Sequence, residues 1–523
     1  MKKFQRISGV IILIAGIFLR FYHLLKFDFV HIPFRLGGLF FAFAGQIINN
    51  GFRIPVNIPF YSVGGIPFAY PPVGFYVEAI LLKLFPGDRF VIVNILPPFV
   101  SALALIAVYL LLRELYAPAV LGASGTKKNK EGHILAGVFA YAFMPLAFTN
   151  QIEAAGLAES FGSLFLVVYF AAAANFRRVS NWKNAVWVGV ALGLCIISNP
   201  GSAIGAAILS VMLGLEVVVK NKFRFQSISW IGLVALTGGL VSSPYVLTVA
   251  HNHGKAIFIL PVLAQYVGGE KQGFWELLLI KLNNFMIVRD GASFLWNGII
   301  FLGLLWLLFR GKYVFPVVFF ALFSIPREGI WLAALPATFL FAHGGGDIFP
   351  LLMPSEPENR LASHRWLRTG ILMIIGIWMA LQSFVLIDAI ITDRQVVITA
   401  EQIQLMESVS ASIPQNAKVL VIGNDALREW APVLLQREVI NTKFGLEWQP
   451  TRLEQIFILN LKIASATSWD EIITAVQDTT GIHQVYVLSV DKRRLTELSR
   501  QSTVPFLVKL ETPALQLGFL DRP

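Results

Sequence analysis

The side chains best placed to do chemistry sit in short polar breaks between long apolar runs. Asp28 follows the first run, where a carboxylate at the water boundary could take a proton from an acceptor hydroxyl. It reads equally as a solvated residue at a helix end. Arg35 and Arg53 come next, each with a planar guanidinium fork suited to a phosphate or to a lipid headgroup. His31 between them and Asp28 reads as an interfacial residue. Glu153 and Glu159 lie in the second outer break. Glu159 opens the next apolar run, where a carboxylate is costly and tends to be functional, although it would also favour a helix N-terminus. Two acids on one loop could hold a hard divalent cation. No pair of His, Cys, Asp or Glu here has strong metal-ligand spacing, so no metal ligand is assigned. Asn199-Pro200 interrupts another apolar run, and Arg327-Glu328 another. A basic residue at an outer turn runs against the usual charge asymmetry, so Arg327 invites a role holding a lipid phosphate, with pairing to Glu328 or snorkelling as the alternative. His251, His253 and Lys255 open a loop running to about Trp275, long enough to cover a site.

The elements that must position these residues are membrane helices. The chain has 523 residues, 56% of them hydrophobic and only 14% charged, with a mean hydropathy of +0.67. Runs of about 17–25 apolar residues recur, each long enough to cross a bilayer. The reading is a polytopic α-helical membrane protein with about eleven spans. They lie near 7–25, 90–113, 133–149, 157–176, 184–198, 201–219, 228–249, 294–310, 313–325, 329–343 and 368–390. The net charge of +11 sits in short loops between these runs, which marks topology and argues against a nucleic-acid partner. Lys2, Lys3 and Arg6 place the N-terminus in the cytosol, and Arg20-Phe21-Tyr22-His23 in place of small residues makes the first run an uncleaved anchor. The single Cys195 permits no intrachain disulfide. P-loop, HExxH, heptad and channel-filter motifs are absent from the sequence, and Gly344-Gly345-Gly346 reads as an inner turn.

The first outer loop is built up more than a connection requires. Leu36, Phe40, Phe43 and Ile47 recur at helical spacing opposite Gly45, Gln46, Asn49 and Asn50, the pattern of a helix in the membrane interface. Tyr70-Pro71-Pro72 then opens a second short apolar helix, with proline where a helix can start. The basic loops fall on one side only if this second helix, near 71–85, does not cross. After about residue 394 no segment could span. Runs at Val419–Ile422, Val485–Val490 and Phe506–Leu510 alternate with helical patterns at Ala400–Ala411 and Trp469–Gln477. The division is therefore a membrane domain, 1–393, and an extracytoplasmic α/β domain, 394–523.

Several short motifs resemble one family. They are Gly51-Phe52-Arg53-Ile54-Pro55, Pro67-Phe68-Ala69-Tyr70-Pro71-Pro72 with Phe75-Tyr76, Ser198-Asn199-Pro200, Ser243-Pro244-Tyr245, Pro326-Arg327 with Leu335-Pro336, and Glu429-Trp430. Together they look like the GT-C superfamily of membrane glycosyltransferases, in the bacterial branch with protein mannosyltransferases, aminoarabinose-lipid A transferases and RgtA/B/C/D-like enzymes. The resemblance implies transfer of a sugar from a polyprenyl-phosphate donor to a lipid, glycan or protein acceptor hydroxyl at the outer face of the plasma (inner) membrane. It implies Asp28 or Glu159 as base, and Arg35, Arg53, Tyr70, Glu153, Asn199 and Arg327 around the substrate. The chain departs from the family where the first interfacial helix usually opens on an acid. Here that region reads His31-Ile32-Pro33-Phe34-Arg35-Leu36-Gly37-Gly38. Asn199-Pro200 stands where related chains often carry His-Pro. A non-catalytic lipid-sugar binding, scaffolding or export component on the same frame is the alternative.

Overall fold

The computed structural model describes residues 2–26, 32–116, 130–220, 225–260, 293–325, 329–348, 362–392, 398–512 and 514–521. Helix α1 (Lys2–Lys26) leads to loop one, which holds α2 (Gly38–Asn49), the paired two-residue strands β1 (Asn57–Ile58) and β2 (Ile66–Pro67), and α3 (Val73–Leu84). The bundle continues with α4 (Arg89–Leu115), α5 (Lys130–Phe143), α6 (Leu157–Arg178), α7 (Trp182–Ile196), α8 (Pro200–Lys220) and α9 (Phe225–His253). It is completed by α10 (Ser293–Phe309), α11 (Val314–Phe323), α12 (Gly329–Leu332), α13 (Ala334–His343) and α14 (Ala362–Thr392).

All eleven expected spans fall on helices, though not all on full-length ones. Among the described residues, Ile7–Lys26, Arg89–Leu115, Ala154–Arg178, Ser229–His253 and Gly370–Ala389 are long and apolar enough to cross a membrane, and a sixth crossing arises if the pair Glu131–Phe143 and Pro145–Gln151, bent by 76°, counts as one. The others include pieces such as α7, α10 and α11. Helices of 10–17 residues rise about 15–25 Å, short of the roughly 30 Å hydrocarbon layer. α13 is buried at every one of its ten positions, as befits a helix that is apolar all round and packed inside a bundle. Gly344-Gly345-Gly346 is not a free turn: it continues α13 as a π-helical turn, Gly344–Ile348.

The bend after α5 has a physical cause. Pro145 cannot donate a backbone hydrogen bond, so the helix stops and its last carbonyls lose their partners inside an apolar layer. Each finds another. Ala140 O accepts from Met144 N at 2.7 Å, Phe143 O accepts from the Ser383 hydroxyl of α14, and Arg20 of α1 takes the remaining two. Its Nη2 donates to Tyr141 O at 3.1 Å and its Nη1 to Ala142 O at 3.2 Å and to Gly16 O at 2.8 Å. Arg20 Nε donates to Ser101 Oγ at 3.0 Å, and the chain runs on through Gln151 to Ser163. This fully buried guanidinium is solvated by neutral oxygens and by the Phe148 ring, 4.7 Å from its centre.

The C-terminal segment folds as the α/β unit expected. It comprises α15 (Ala400–Ser410), β3 (Lys418–Ile422), α16 (Asp425–Leu435), β4 (Glu438–Val439), α17 (Pro450–Ser465), α18 (Trp469–Thr480), β5 (Gln484–Ser489), α19 (Lys492–Arg500), β6 (Phe506–Glu511) and β7 (Gln516–Asp521). The sheet order is β4-β3-β5-β7-β6. β3 runs parallel to β4 and β5, while β7 runs antiparallel to β5 and β6. Loop one extends this sheet. Val439 N donates to Phe60 O at 2.9 Å and Ser62 N to Val439 O at 3.1 Å, so residues 60–62 add a short parallel rung outside β4.

The apolar stripe of α2 shows where the loop and the domain join. Leu39, Phe40, Phe43, Ala44 and Ile47 are buried, but against α3 and α16. One continuous apolar core runs from these residues through Phe68 and Phe75 to Leu420, Ile440 and Trp469. The helix read as lying in the interface is covered by protein, because periodicity reports that a face is buried and not what buries it.

Candidate functional site

Loop one, the loop before α6 and α16 meet around the N-terminus of α2. That helix starts at Gly38 without a side-chain cap of its own, which leaves backbone N–H groups unpaired. The carboxylate of Glu429, on α16, supplies the acceptors: Oε2 takes Gly37 N at 2.8 Å and Oε1 takes Leu39 N at 3.3 Å. The contact needs glycine, since a Cβ on Gly38 would stand 2.6 Å from Glu429 O. Trp430 Nε1 donates to Arg35 O at 3.2 Å, and the Tyr61 hydroxyl donates to Glu429 O at 2.8 Å. Burial pushes the Glu429 carboxyl up to about 8, with the two backbone donors pulling the other way.

Backbone strain concentrates here. Arg35, Phe52, Phe60 and Ser62 all have left-handed φ, at 61°, 60°, 73° and 61°, a conformation that costs non-glycine residues roughly 1–3 kcal/mol each and tends to gather at functional positions. At Arg35 the cost is met by contacts on three sides: Trp430 holds its carbonyl, Glu153 pairs with its guanidinium, and Ala154 and Ala155 donate to the neighbouring carbonyls of Phe34 and Leu36. Burial pushes Glu153 up to about 7 even though Arg35 pulls it down.

Two motifs found far apart in the sequence meet on the other side of the loop. The Tyr245 hydroxyl donates to Ala69 O at 2.6 Å. Tyr70 stands among Phe40, Phe75 and Trp448, with ring centres 5.3, 5.8 and 5.0 Å away. Ile257, at the start of the long loop after α9, joins Ala69, Tyr245 and Trp448 in one cluster. Residues 261–275 of that loop lie outside the described residues.

No known family model matches this chain, and no curated protein does. Solved structures do. The oligosaccharyltransferase AglB from Archaeoglobus fulgidus aligns at a TM-score of 0.61 and 12% identity, covering 100% of this chain and 74% of that one. ArnT from Cupriavidus metallidurans, solved with undecaprenyl phosphate, aligns at 0.55 and 12% identity, covering 98% of this chain and 97% of that one. The mycobacterial arabinofuranosyltransferase AftD aligns at 0.58 and 12% identity, covering 99% of this chain and 41% of that one. The chain has the GT-C fold.

Within the GT-C frame the expected site residues divide by what they touch. Arg35 and Glu153, expected to contact substrate, contact each other. A guanidinium thus occupies the place a cation would take on Glu153. Tyr70 is packed into the aromatic cluster. Asn199 is buried, and its Oδ1 accepts from Ser202 N at 3.1 Å as the cap of α8, with Pro200 at the first helical position. Asn199→Ala should therefore lower stability by about 0.5–2 kcal/mol while Asn199→Asp largely preserves it, as thermal unfolding in detergent would show. Glu159 is half-buried in the first turn of α6, and Arg53 is exposed at the turn after α2. Asp28, His31 and Arg327 lie outside the described residues. Asn94 fixes the chain just beyond Asp28 and His31, with Oδ1 accepting from Phe34 N at 2.9 Å and Nδ2 donating to Ile32 O at 2.7 Å.

The GT-C frame also holds an acid not among the expected site residues. Glu78 on α3 is only 2% exposed, its Oε2 has no hydrogen-bond partner among the described residues, and burial pushes it up to about 8. At neutral pH such a carboxyl is mostly protonated and can donate a hydrogen bond. Its signal in the sequence is a lone Glu in an apolar helical stretch.

Proposed function

We propose that this protein is a glycosyltransferase that moves a sugar from a polyprenyl-phosphate donor to an acceptor hydroxyl at the outer membrane face. The membrane domain, 1–393, would sit in the plasma (inner) membrane with its N-terminus in the cytoplasm, and the domain 394–523 outside. The observation that carries this reading is the GT-C fold along the whole chain, matched end to end by a transferase solved with undecaprenyl phosphate. A glycosyl transfer of this kind needs an acceptor hydroxyl deprotonated, a phosphate leaving group held by cations, and water kept out. Glu159 or Asp28 supplies the base. Arg53 and Arg327 receive the phosphate. The C-terminal domain, already clasped on loop one, closes the site from above.

The test is transfer by the purified, vesicle-reconstituted chain, given a panel of polyprenyl-phosphate sugars and read as release of polyprenyl phosphate. Glu159→Gln should cut turnover about 10²–10⁴-fold with donor binding unchanged. Full activity in the Asp28→Asn/Glu159→Gln double variant would remove both residues from the chemistry. No binding of any donor would sink the transferase reading.

One observation favours a second reading, a non-catalytic lipid-sugar binding, scaffolding or export component. Two acids at the centre of the site are already engaged, Glu153 by Arg35 and Glu429 by the α2 backbone. Donor binding without turnover, indifferent to Glu159→Gln, would be its mark.

A further inference from the structure

A second constellation lies at the end of the bundle away from the C-terminal domain. α4 carries Arg89, paired with Glu407 of that domain, at one end. After 27 residues, about 40 Å of helix, the chain reaches Tyr116. There His133 of α5 and His343 of α13 flank Asp347 of the π turn. Asp347 Oδ1 lies 3.0 Å from His133 Nε2 and Oδ2 lies 2.9 Å from His343 Nδ1. One ligand atom from each of the three residues falls within 4.8 Å of the others. The imidazoles are buried, 6% and 9% exposed.

The surroundings are built around those three groups. The Tyr116 hydroxyl lies 3.1 Å from the far nitrogen of His343, Nε2. Trp306 Nε1 of α10 donates to Asp347 Oδ2 at 3.0 Å. The π turn is a rare conformation that recurs at functional positions, and here it sets Asp347 between the imidazoles. Its glycines permit the approach, since a Cβ on Gly346 would stand 2.8 Å from the His133 ring.

We propose that His133, His343 and Asp347 bind a divalent transition-metal ion of the zinc class. Two imidazole nitrogens and one carboxylate suit such an ion, and three protein ligands leave one position for water. Metal–donor distances of about 2.0–2.2 Å put tetrahedral donors about 3.3 Å apart. The two carboxylate–imidazole separations, made through different oxygens, need to open by a few tenths of an ångström, and the donor atoms, all within 4.8 Å of one another, come to that common spacing as the ion binds. With Nδ1 of His343 on the metal, its Nε2–H donates to Tyr116, and Trp306 steadies the ligating carboxylate. These are the outer contacts that orient metal ligands. The ion ties α5 to α13 at this end of the bundle, independently of sugar transfer at the other. A hydrogen-bonded clip would use the same three residues, and the two arrangements part in their response to metal.

The experiment uses the full chain purified in detergent, stripped with chelator and titrated with Co²⁺, then Zn²⁺, with Mg²⁺ as control. One equivalent of Co²⁺ should give the visible spectrum of a tetrahedral site, displaced by one equivalent of Zn²⁺ and untouched by Mg²⁺. Asp347→Asn and His343→Gln should abolish it. Tyr116→Phe should keep the spectrum but weaken binding about 10–100-fold. His133→Cys should retain binding and add a sulfur-to-metal charge-transfer band, a gain that misfolding cannot mimic. If the parent protein takes up no more Co²⁺ or Zn²⁺ than Asp347→Asn, or His133→Cys leaves the spectrum unchanged, the site is a clip only and the proposal fails.

Discussion

Arg20→Leu protein should be recovered in low yield and lose about 3–6 kcal/mol of stability, the largest effect expected of any single change in the membrane domain. The reason is an accounting of carbonyls. α5 ends at Phe143, and Arg20 is the partner of both Tyr141 O and Ala142 O. Leucine removes both donors in a place where no water can replace them. Unsatisfied buried acceptors cost about 1–3 kcal/mol each in proteins, and more in hydrocarbon. Arg20→Lys should recover part of the loss, because an ammonium can reach one or two of these oxygens. Among the described residues Arg20 is held by neutral oxygens, with no carboxylate among its hydrogen-bond partners, so the effect should be insensitive to salt. Thermal unfolding in detergent, followed by size-exclusion chromatography, measures it. An Arg20→Leu protein that melts with the parent would show that the bend is satisfied some other way.

Glu429→Ala should cost about 2–5 kcal/mol and loosen the C-terminal domain from loop one, because Gly37 N and Leu39 N lose their acceptors in a buried seam. Its pH dependence is equally testable. Burial raises the Glu429 carboxyl from the ordinary 4.5 to about 8 in the folded protein. The folded state therefore binds the proton more tightly than the unfolded one. The associated stability is complete below about pH 4.5 and declines as pH rises towards about 8. Parent protein should melt higher at pH 5 than at pH 8. Glu429→Gln should melt lower than the parent at pH 5, by about 1–3 kcal/mol, yet lose much of the slope between the two. Glu153 and Glu78 are raised by burial in the same sense and account for the slope that remains. A slope unchanged in Glu429→Gln would place the titration elsewhere.

The architecture was legible because apolar runs and turn residues are local signals. Each of the eleven runs falls on a helix, and the strands at 419–422 and 485–490 and the helix opening at Trp469 stand close to where the pattern puts them. Asn199-Pro200 could have been read as a cap followed by an N1 proline, since both parts of that signal are adjacent. What was not legible depends on distant partners. Arg35 and Glu153 look like two separate ligands in the sequence, and their pairing across 118 positions is visible only in three dimensions. His133, His343 and Asp347 are likewise scattered until α5 and α13 bring them together. The stripe on α2 carries a correct statement that it is buried and no statement of what covers it.

Glu429 reaches back 392 residues to Gly37. On a ribosome adding about 5–20 residues per second, loop one waits roughly 20–80 s for the segment that caps and covers it. Through that interval α2 has α3 against part of its apolar stripe but lacks the cover that α16 supplies. An amphipathic helix beside a bilayer has a place to rest such a face. The same stripe is thus a berth on the lipid for the growing chain and a seam between domains in the finished one, and the arrival of the segment that carries Glu429 decides when it passes from one to the other.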